Sequence, residues 1–268
     1  MKAEDIKKFA ERESAHRGAP PLTLIATPIG NLGDLTLRAI EALRDSDGVI
    51  AEDTRRASLL LRHLELRRPL ISFHEHNEER RLPELIGRLL RGESLAMVSD
   101  AGTPSISDPG FRLIRACIAN GIEYTVLPGP SAVLTSLVGS GLPPVPFYFG
   151  GFLPSSGSGR RAELKRASAS GVTRIYFESP HRLLACLEDL TLIAPDCRLC
   201  VARELTKVHE EYRHGTPEQL ASHYRSNAPR GEVTLVIAPQ GFDYNGNGCE
   251  GEEKKNYSEK TPIPRNFA

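Results

Sequence analysis

Apolar and polar positions follow two recurring patterns along this chain. Short apolar runs at Leu22–Ala26, Gly48–Ala51, Leu70–Phe73, Leu95–Ser99 and Tyr124–Leu127 have the length of buried strands. Between them, Leu35–Arg44, Ala57–Leu66, Leu82–Arg91 and Phe111–Asn120 carry apolar residues three and four apart, the spacing of one helix face. This alternation predicts a parallel sheet with helices on both faces. After a proline-rich stretch, Leu142–Pro146, a second set begins: Phe147–Phe152, Val172–Glu178, Arg198–Arg203 and Val233–Ile237 read as strands with helical segments between them. The pattern predicts an α/β fold of two domains, 20–130 and 131–240, each with a mainly parallel sheet and a cleft between them. Residues 1–19 form a polar N-terminal extension. Residues 241–268 are poor in aliphatic side chains and rich in Gly, Asn, Glu and Lys, and read as a disordered tail.

Composition narrows the class without naming it. The 268 residues are 40% hydrophobic and 25% charged, an ordinary globular balance with room for a sizeable core. No apolar run of about 18 residues predicts a membrane span. Met1–Arg17 lacks the apolar core of a signal peptide, so a cytoplasmic protein is expected. The five cysteines are sparse and odd in number, which argues against a disulfide framework. Thirty-four Lys and Arg balance 34 Asp and Glu, so any attraction for nucleic acid must come from local clustering. One cluster, Arg160, Arg161, Lys165, Arg166 and Arg174 against Glu163, fits either a phosphate-binding face or a solvated helix.

Ligands of open α/β sheets sit at the carboxyl ends of strands. The small and turn-forming residues gather there: Thr27–Asp34 after the first strand, Asp100–Gly110 after the fourth, and Pro128–Ala132 after the fifth. Such residues let a ligand reach backbone N–H and C=O groups. Any one of these loops could be an ordinary turn, but three on one sheet edge point to a binding site. No P-loop is present. Gly157-Ser-Gly-Arg-Arg-Ala162 fits a dinucleotide fingerprint, yet Leu153–Ser156 separates it from its strand and the helix behind it is too polar. His74 and His76 have no third ligand at a recognisable spacing, and Cys197 and Cys200 would point to opposite faces of a strand, so no metal is expected. Ser131 opens a helix with no assigned base, which leaves a serine nucleophile unsupported.

Nine segments together carry a resemblance. They are Thr27–Asp34, Ala51–Arg55, Ser72–Asn77, Val98–Gly110, Pro128–Ala132, Gly151–Pro154, Tyr176–Leu183, Val201–Lys207 and Arg230–Glu232. In order and spacing they resemble the ribosomal RNA small subunit methyltransferase I family of the tetrapyrrole-methylase-like superfamily. The resemblance implies a homodimer that holds S-adenosylmethionine between its domains and methylates the 2′-oxygen of a decoding-site cytidine in 16S rRNA, free or in the assembled subunit. By position it implies cofactor contacts at Pro28, Gly30, Asp100, Gly102, Thr103, Ser131 and Ala132, and from the second domain at Phe177, Glu204, Leu205 and Thr234. Glu52, Asp53 and His76 are the candidate general bases, each of which could instead cap a helix or orient Arg55. Arg55, Arg56, Arg160, Arg161, Lys165 and Arg182 are the candidate phosphate contacts. One departure stands out: Ser155–Ser158 follows Gly-Phe-Leu-Pro where relatives carry basic residues. A tetrapyrrole methyltransferase of the same fold and a non-catalytic RNA-binding relative are the alternatives.

Overall fold

The computed structural model describes residues 20–244. The readings placed on the N-terminal extension and on nearly all of the tail therefore lie outside the described residues. The first lobe runs β1 (Leu22–Ile25), α1 (Leu37–Asp45), β2 (Gly48–Ala51), α2 (Thr54–His63), β3 (Leu70–Ser72), α3 (Glu78–Leu90), β4 (Leu95–Val98), α4 (Phe111–Ala119) and β5 (Tyr124–Leu127). Its sheet has the order β3-β2-β4-β1-β5, and every pairing is parallel. Successive strand residues face opposite sides, so the sheet feeds two cores. Leu22, Leu24, Ile50 and Met97 pack with Leu85 and Leu89 of α3 and Leu113 of α4. Ile25, Val49 and Val98 pack with Leu43 of α1 and Leu61 of α2.

The second lobe begins with α5 (Ala132–Gly139) and continues through β6 (Phe147–Phe152), α6 (Gly157–Ser168), β7 (Thr173–Glu178), α7 (Pro180–Ile193), β8 (Leu199–Arg203), β9 (Glu211–Gly215), α8 (Pro217–Ser226) and β10 (Val233–Ile237). Its sheet order is β6-β7-β10-β8-β9. One face carries Tyr176, Val201 and Leu235 against Leu164, Leu187 and Leu220 of α6, α7 and α8. The other carries Ile175, Cys200 and Val236 against Val133 and Leu137 of α5.

The second sheet is where periodicity misleads. β6 and β7 are parallel, but β10 is antiparallel to both β7 and β8, and β9 is antiparallel to β8. The strand–helix–strand rhythm correctly sets β6, β7 and β8 in one direction. It does not reveal that β10 fills the slot between β7 and β8 with opposite polarity, which makes this sheet mixed. β9 itself, Glu-Tyr-Arg-His-Gly, is a polar edge strand with no buried alternation to announce it.

Two helices start earlier than their apolar spacing predicts. α2 begins at Thr54, capped by the Asp53 carboxylate accepting from the Arg55 N–H at 2.8 Å. α3 begins at Glu78, with Glu78 and Glu79 in its first turn where the helix dipole favours negative charge. In both, the first turn is polar and adds nothing to the apolar stripe.

Leu187 is fully buried among the helices of the second lobe. Leu187→Ala is expected to destabilise the fold by about 2–5 kcal/mol, read as a lowered midpoint in urea denaturation.

Candidate active site

Backbone bonds tie the three first-lobe loops into one cup. Thr27 and Gly102 exchange two hydrogen bonds, each 2.9 Å, bridging the loops after β1 and β4. The Thr27 hydroxyl donates to the Ser99 carbonyl at 3.1 Å, and the Ser99 hydroxyl donates to the Gly102 carbonyl at 2.8 Å. Gly102 has φ +81°, a conformation that disfavours any side chain. The Thr103 hydroxyl reaches the Pro130 carbonyl at 3.4 Å and brings in the loop after β5. Ser131 then caps α5 by accepting from the Leu134 N–H at 3.5 Å.

The loop after β8 faces this cup. A Cβ placed on Gly30 would lie 2.8 Å from the Leu205 carbonyl oxygen and 2.9 Å from the Thr206 hydroxyl. Ile29, Ala202 and Leu205 form a small apolar cluster beside that contact, with Ala101 and Ala132 packed on it. Glu204 braces its own loop: its carboxylate accepts from Lys207 Nζ at 2.8 Å and the Glu232 N–H at 3.0 Å. Lys207 is also the main cause of its lowered pKa. Thr234 pairs with Phe177 on one side and Ala202 on the other, and Phe177 lies edge-on to Phe149 and Phe152 at 4.9 and 5.4 Å.

The cofactor positions implied by resemblance thus fall on two facing walls. Pro28, Gly30, Asp100, Gly102, Thr103, Ser131 and Ala132 sit on the tied loops, with Glu204 and Leu205 opposite. Thr234 and Phe177 are reached through Ala202. Four non-glycine residues on these walls, Ser105, Ser107, Glu204 and Thr206, have φ between 50° and 71°, a strained backbone of the sort that accumulates at functional loops. Ser105 Oγ and Thr206 Oγ1 are buried without a hydrogen-bond partner among the described residues. No sequence pattern announces these features.

Acidic groups crowd one side of the cup. Burial, then Asp100, raises the pKa of Glu52. Asp108 is pushed up to about 7 by burial first, then by Glu52 and Asp100. Asp100 accepts from the Asp53 N–H at 3.1 Å and lies 3.6 Å from Arg56. Asp53 is committed elsewhere. Besides capping α2, it pairs with Arg55 at 2.7 Å, and the bond from the Arg55 side chain leads in lowering its pKa to about 2. Such a carboxylate is a poor proton acceptor. His76 is exposed, with its ring 6.0 Å edge-on from that of His74. Glu52 is the base candidate whose surroundings favour holding a proton, and Asp108, which sequence reasoning overlooked, is a second such group.

Arg160 departs from its expected role. It is 9% exposed, and its guanidinium meets Asp189 at 2.8 Å, pinning α6 to α7. Arg182 is likewise engaged by Glu178 at 2.5 Å. Arg55, Arg56, Arg161 and Lys165 are exposed. Among the described residues no group of three or more His, Cys, Asp or Glu is arranged to hold a metal ion. Cys197 and Cys200 are free thiols, Cys200 within the core.

A cavity of about 390 Å³ opens between Thr27, Pro28 and Asp100 of the cup and Arg56, Leu60 and His63 of α2. Larger hollows lie on the outer side of α2, away from the tied loops. The backbone architecture locates the site better than volume does.

The chain belongs to the tetrapyrrole (corrin/porphyrin) methylase family, whose model matches residues 21–221. Within that family its relatives include ribosomal RNA small subunit methyltransferase I of Thermotoga maritima, 43% identical over 81% of this chain and 97% of the relative. The protein of the same name from a Synechocystis strain is 44% identical over 89% and 83%. Diphthine synthase, at 15% identity and TM-score 0.62, shares the fold over 81% of this chain and 89% of its own. So does uroporphyrin-III-C-methyltransferase from Thermus thermophilus, at 20% identity and TM-score 0.58, over 83% and 94%. S-adenosylmethionine is the methyl donor of the family.

The raised Asp108 has a consequence for stability. Its pKa in the folded chain, about 7, lies above the ordinary 3.8, so between those values the folded state binds more protons than the unfolded one. Its contribution therefore falls as pH rises through that window. Asp108→Asn is expected to raise Tm by several degrees at pH 8 and to change it little at pH 4. Thermal unfolding at the two pH values checks this.

Proposed function

We propose that this chain methylates the 2′-oxygen of a decoding-site cytidine in 16S rRNA, with S-adenosylmethionine as donor. The observation that carries the reading is the cup of tied backbone loops faced by the Glu204–Lys207 loop, in a chain that matches small-subunit rRNA methyltransferases over most of its length. The cup suits an adenosyl donor rich in hydrogen-bonding groups. Gly102 gives it a tight turn with no side chain in the way, and the unpartnered Ser105 and Thr206 hydroxyls are polar groups along its walls. Gly102, Thr103, Ser131 and Ala132 would hold the donor from one side, with Asp100 and Pro28 beside them. Leu205, Phe177 and Thr234 would close the other side, and Glu204 would keep their loop in shape.

When bound, the donor supplies a methyl group on a sulfonium centre, which already makes that carbon strongly electrophilic. The chain's part is then to orient the ribose and remove a proton. Fixing the attacking oxygen in line is worth several kcal/mol through lost freedom already spent on binding. Glu52 accepts the hydroxyl proton, since burial and Asp100 raise its proton affinity above that of a free carboxylate. Exposed Arg55, Arg56, Arg161 and Lys165 contact phosphates. This crowded acidic rim suits a polar ribose better than the apolar walls a tetrapyrrole would want.

The homodimer and the cytoplasmic setting belong to the same proposal. Tyr124 and Val126 on the edge strand β5, with Leu134 and Val138 on α5, expose apolar surface that a second copy would cover. No helix among the described residues is long and apolar enough to cross a membrane.

Mass mapping of 16S rRNA from cells lacking this protein is expected to show one missing ribose methyl group. A fully methylated decoding site would overturn the reading. Glu52→Gln is expected to leave donor affinity unchanged in calorimetric titration and to slow single-turnover transfer about 10²–10⁴-fold. An unaltered rate would remove Glu52 from the role.

A further inference from the structure

Two adjoining hollows, about 820 and 670 Å³, run along the outer side of α2 beside β3, the edge strand of the first sheet. They share Ser58, Arg62 and Leu70, so together they form one groove. Its lining holds five arginines, Arg55, Arg62, Arg67, Arg68 and Arg81, against one acidic residue, Glu65. In a chain whose charges cancel overall, that concentration is local. Two of the five are committed to carboxylates: Arg55 to Asp53 and Arg81 to Glu84, at 2.7 and 2.8 Å. Arg68 donates to the Arg44 carbonyl, a bond that adds no negative charge. Arg62 and Arg67 are exposed and enter no ion pair among the described residues. The Nε atoms of Arg68 and Arg81 are buried without acceptors. The groove therefore keeps a net positive charge that its own residues do not neutralise.

Its course matters as much as its charge. Thr54 and Arg55 lie at one end, directly after the Glu52–Asp53 segment of the acidic rim. Arg67, Arg68 and Pro69 lie at the other, where β3 begins. Along α2 this spans about 15 Å, enough for more than one phosphate. Ser58, Thr54 and Ser72 add hydroxyl donors between the guanidinium groups. Arginines and hydroxyls set along a floor that also carries Leu59, Leu61, Leu66 and Leu70 suit a phosphodiester backbone, which such polar groups bind without reading sequence.

We infer that the groove between α2 and β3 is a track for single-stranded RNA backbone, leading the substrate strand away from the methyl-transfer cup. This rests on the rRNA reading above and adds to it a binding surface separate from the cup. The track accounts for substrate hold by a chain with no overall positive charge.

The test uses the full chain, a single-stranded RNA oligonucleotide of the decoding-site sequence, and the double variant Arg62→Ser/Arg67→Ser. Both side chains are exposed, so the fold should tolerate the change. RNA affinity is expected to fall about tenfold at fixed salt, and the slope of log affinity against log salt should shrink by about 1.4, roughly 0.7 for each lost contact on a single strand. Donor affinity and single-turnover rate at saturating RNA are expected to stay the same, and Arg62→Lys/Arg67→Lys should restore the slope. If the serine variant matches the parent in affinity and slope while the parent methylates the RNA, the track is overturned and the rRNA reading stands. If the parent neither binds nor methylates the oligonucleotide or small-subunit particles, the reading beneath it falls as well.

Discussion

A close approach between the two lobes is made at a residue without a side chain. Gly30 lies so near the Leu205 carbonyl and the Thr206 hydroxyl that any Cβ would force the loops apart. The width of the cleft at this point is therefore set by the Gly30 backbone against the Leu205 carbonyl and the Thr206 and Lys207 side chains, with no room for a further atom between them. Ile29, Ala202 and Leu205 seal its flank. Within the second lobe, at the far end of α5, the Tyr212 ring occupies the space a Cβ on Gly139 would need and its hydroxyl donates to the Thr135 carbonyl at 3.4 Å. The Gly30 contact and the apolar cluster beside it hold the cup and its facing loop in register, the pre-organisation that group transfer requires.

Charge is divided with equal economy. Glu52 and Asp108 gather beside the cup, where burial and neighbouring carboxylates favour keeping their protons. Many arginines serve structure: Arg160 and Arg182 hold buried or nearly buried acids of the second lobe, and Arg203 meets Glu211 at 3.0 Å. Arg62, Arg67 and Arg68, which enter no ion pair among the described residues, lie together along the outer side of α2.

The first lobe was largely legible because its sheet is parallel and buried on both faces, so each strand appears as a continuous apolar run and each helix as a stripe. The ligand loops were legible because glycine and proline mark the ends of those runs. Antiparallel insertion of β10 was not legible, since Val233–Ile237 looks the same whichever way it pairs. β9 stayed hidden because an edge strand needs no apolar alternation. Among site residues, Asp53 looks like Glu52 in sequence, and only the cap and the Arg55 pair separate them. Arg160 and Arg161 are neighbours of identical chemistry and both reach Asp189, yet helix geometry buries Arg160 in that pair at 2.8 Å and leaves Arg161 exposed at 3.6 Å. Asp108 was one of several polar residues in a turn, and its crowding by Glu52 and Asp100 exists only in three dimensions.

The order of strands in the second sheet also bears on how the chain assembles during synthesis. The first sheet has all five of its strands once residue 127 has emerged, and it is able to condense at once. The second has a gap between β7 and β8 until β10 arrives, about 30 residues after β8 ends, and the facing edges of both strands stay uncovered until then. A nascent polypeptide therefore carries a finished half beside an unfinished one for much of its time on the ribosome, and whatever shields those edges in the interval protects the whole molecule from mispairing.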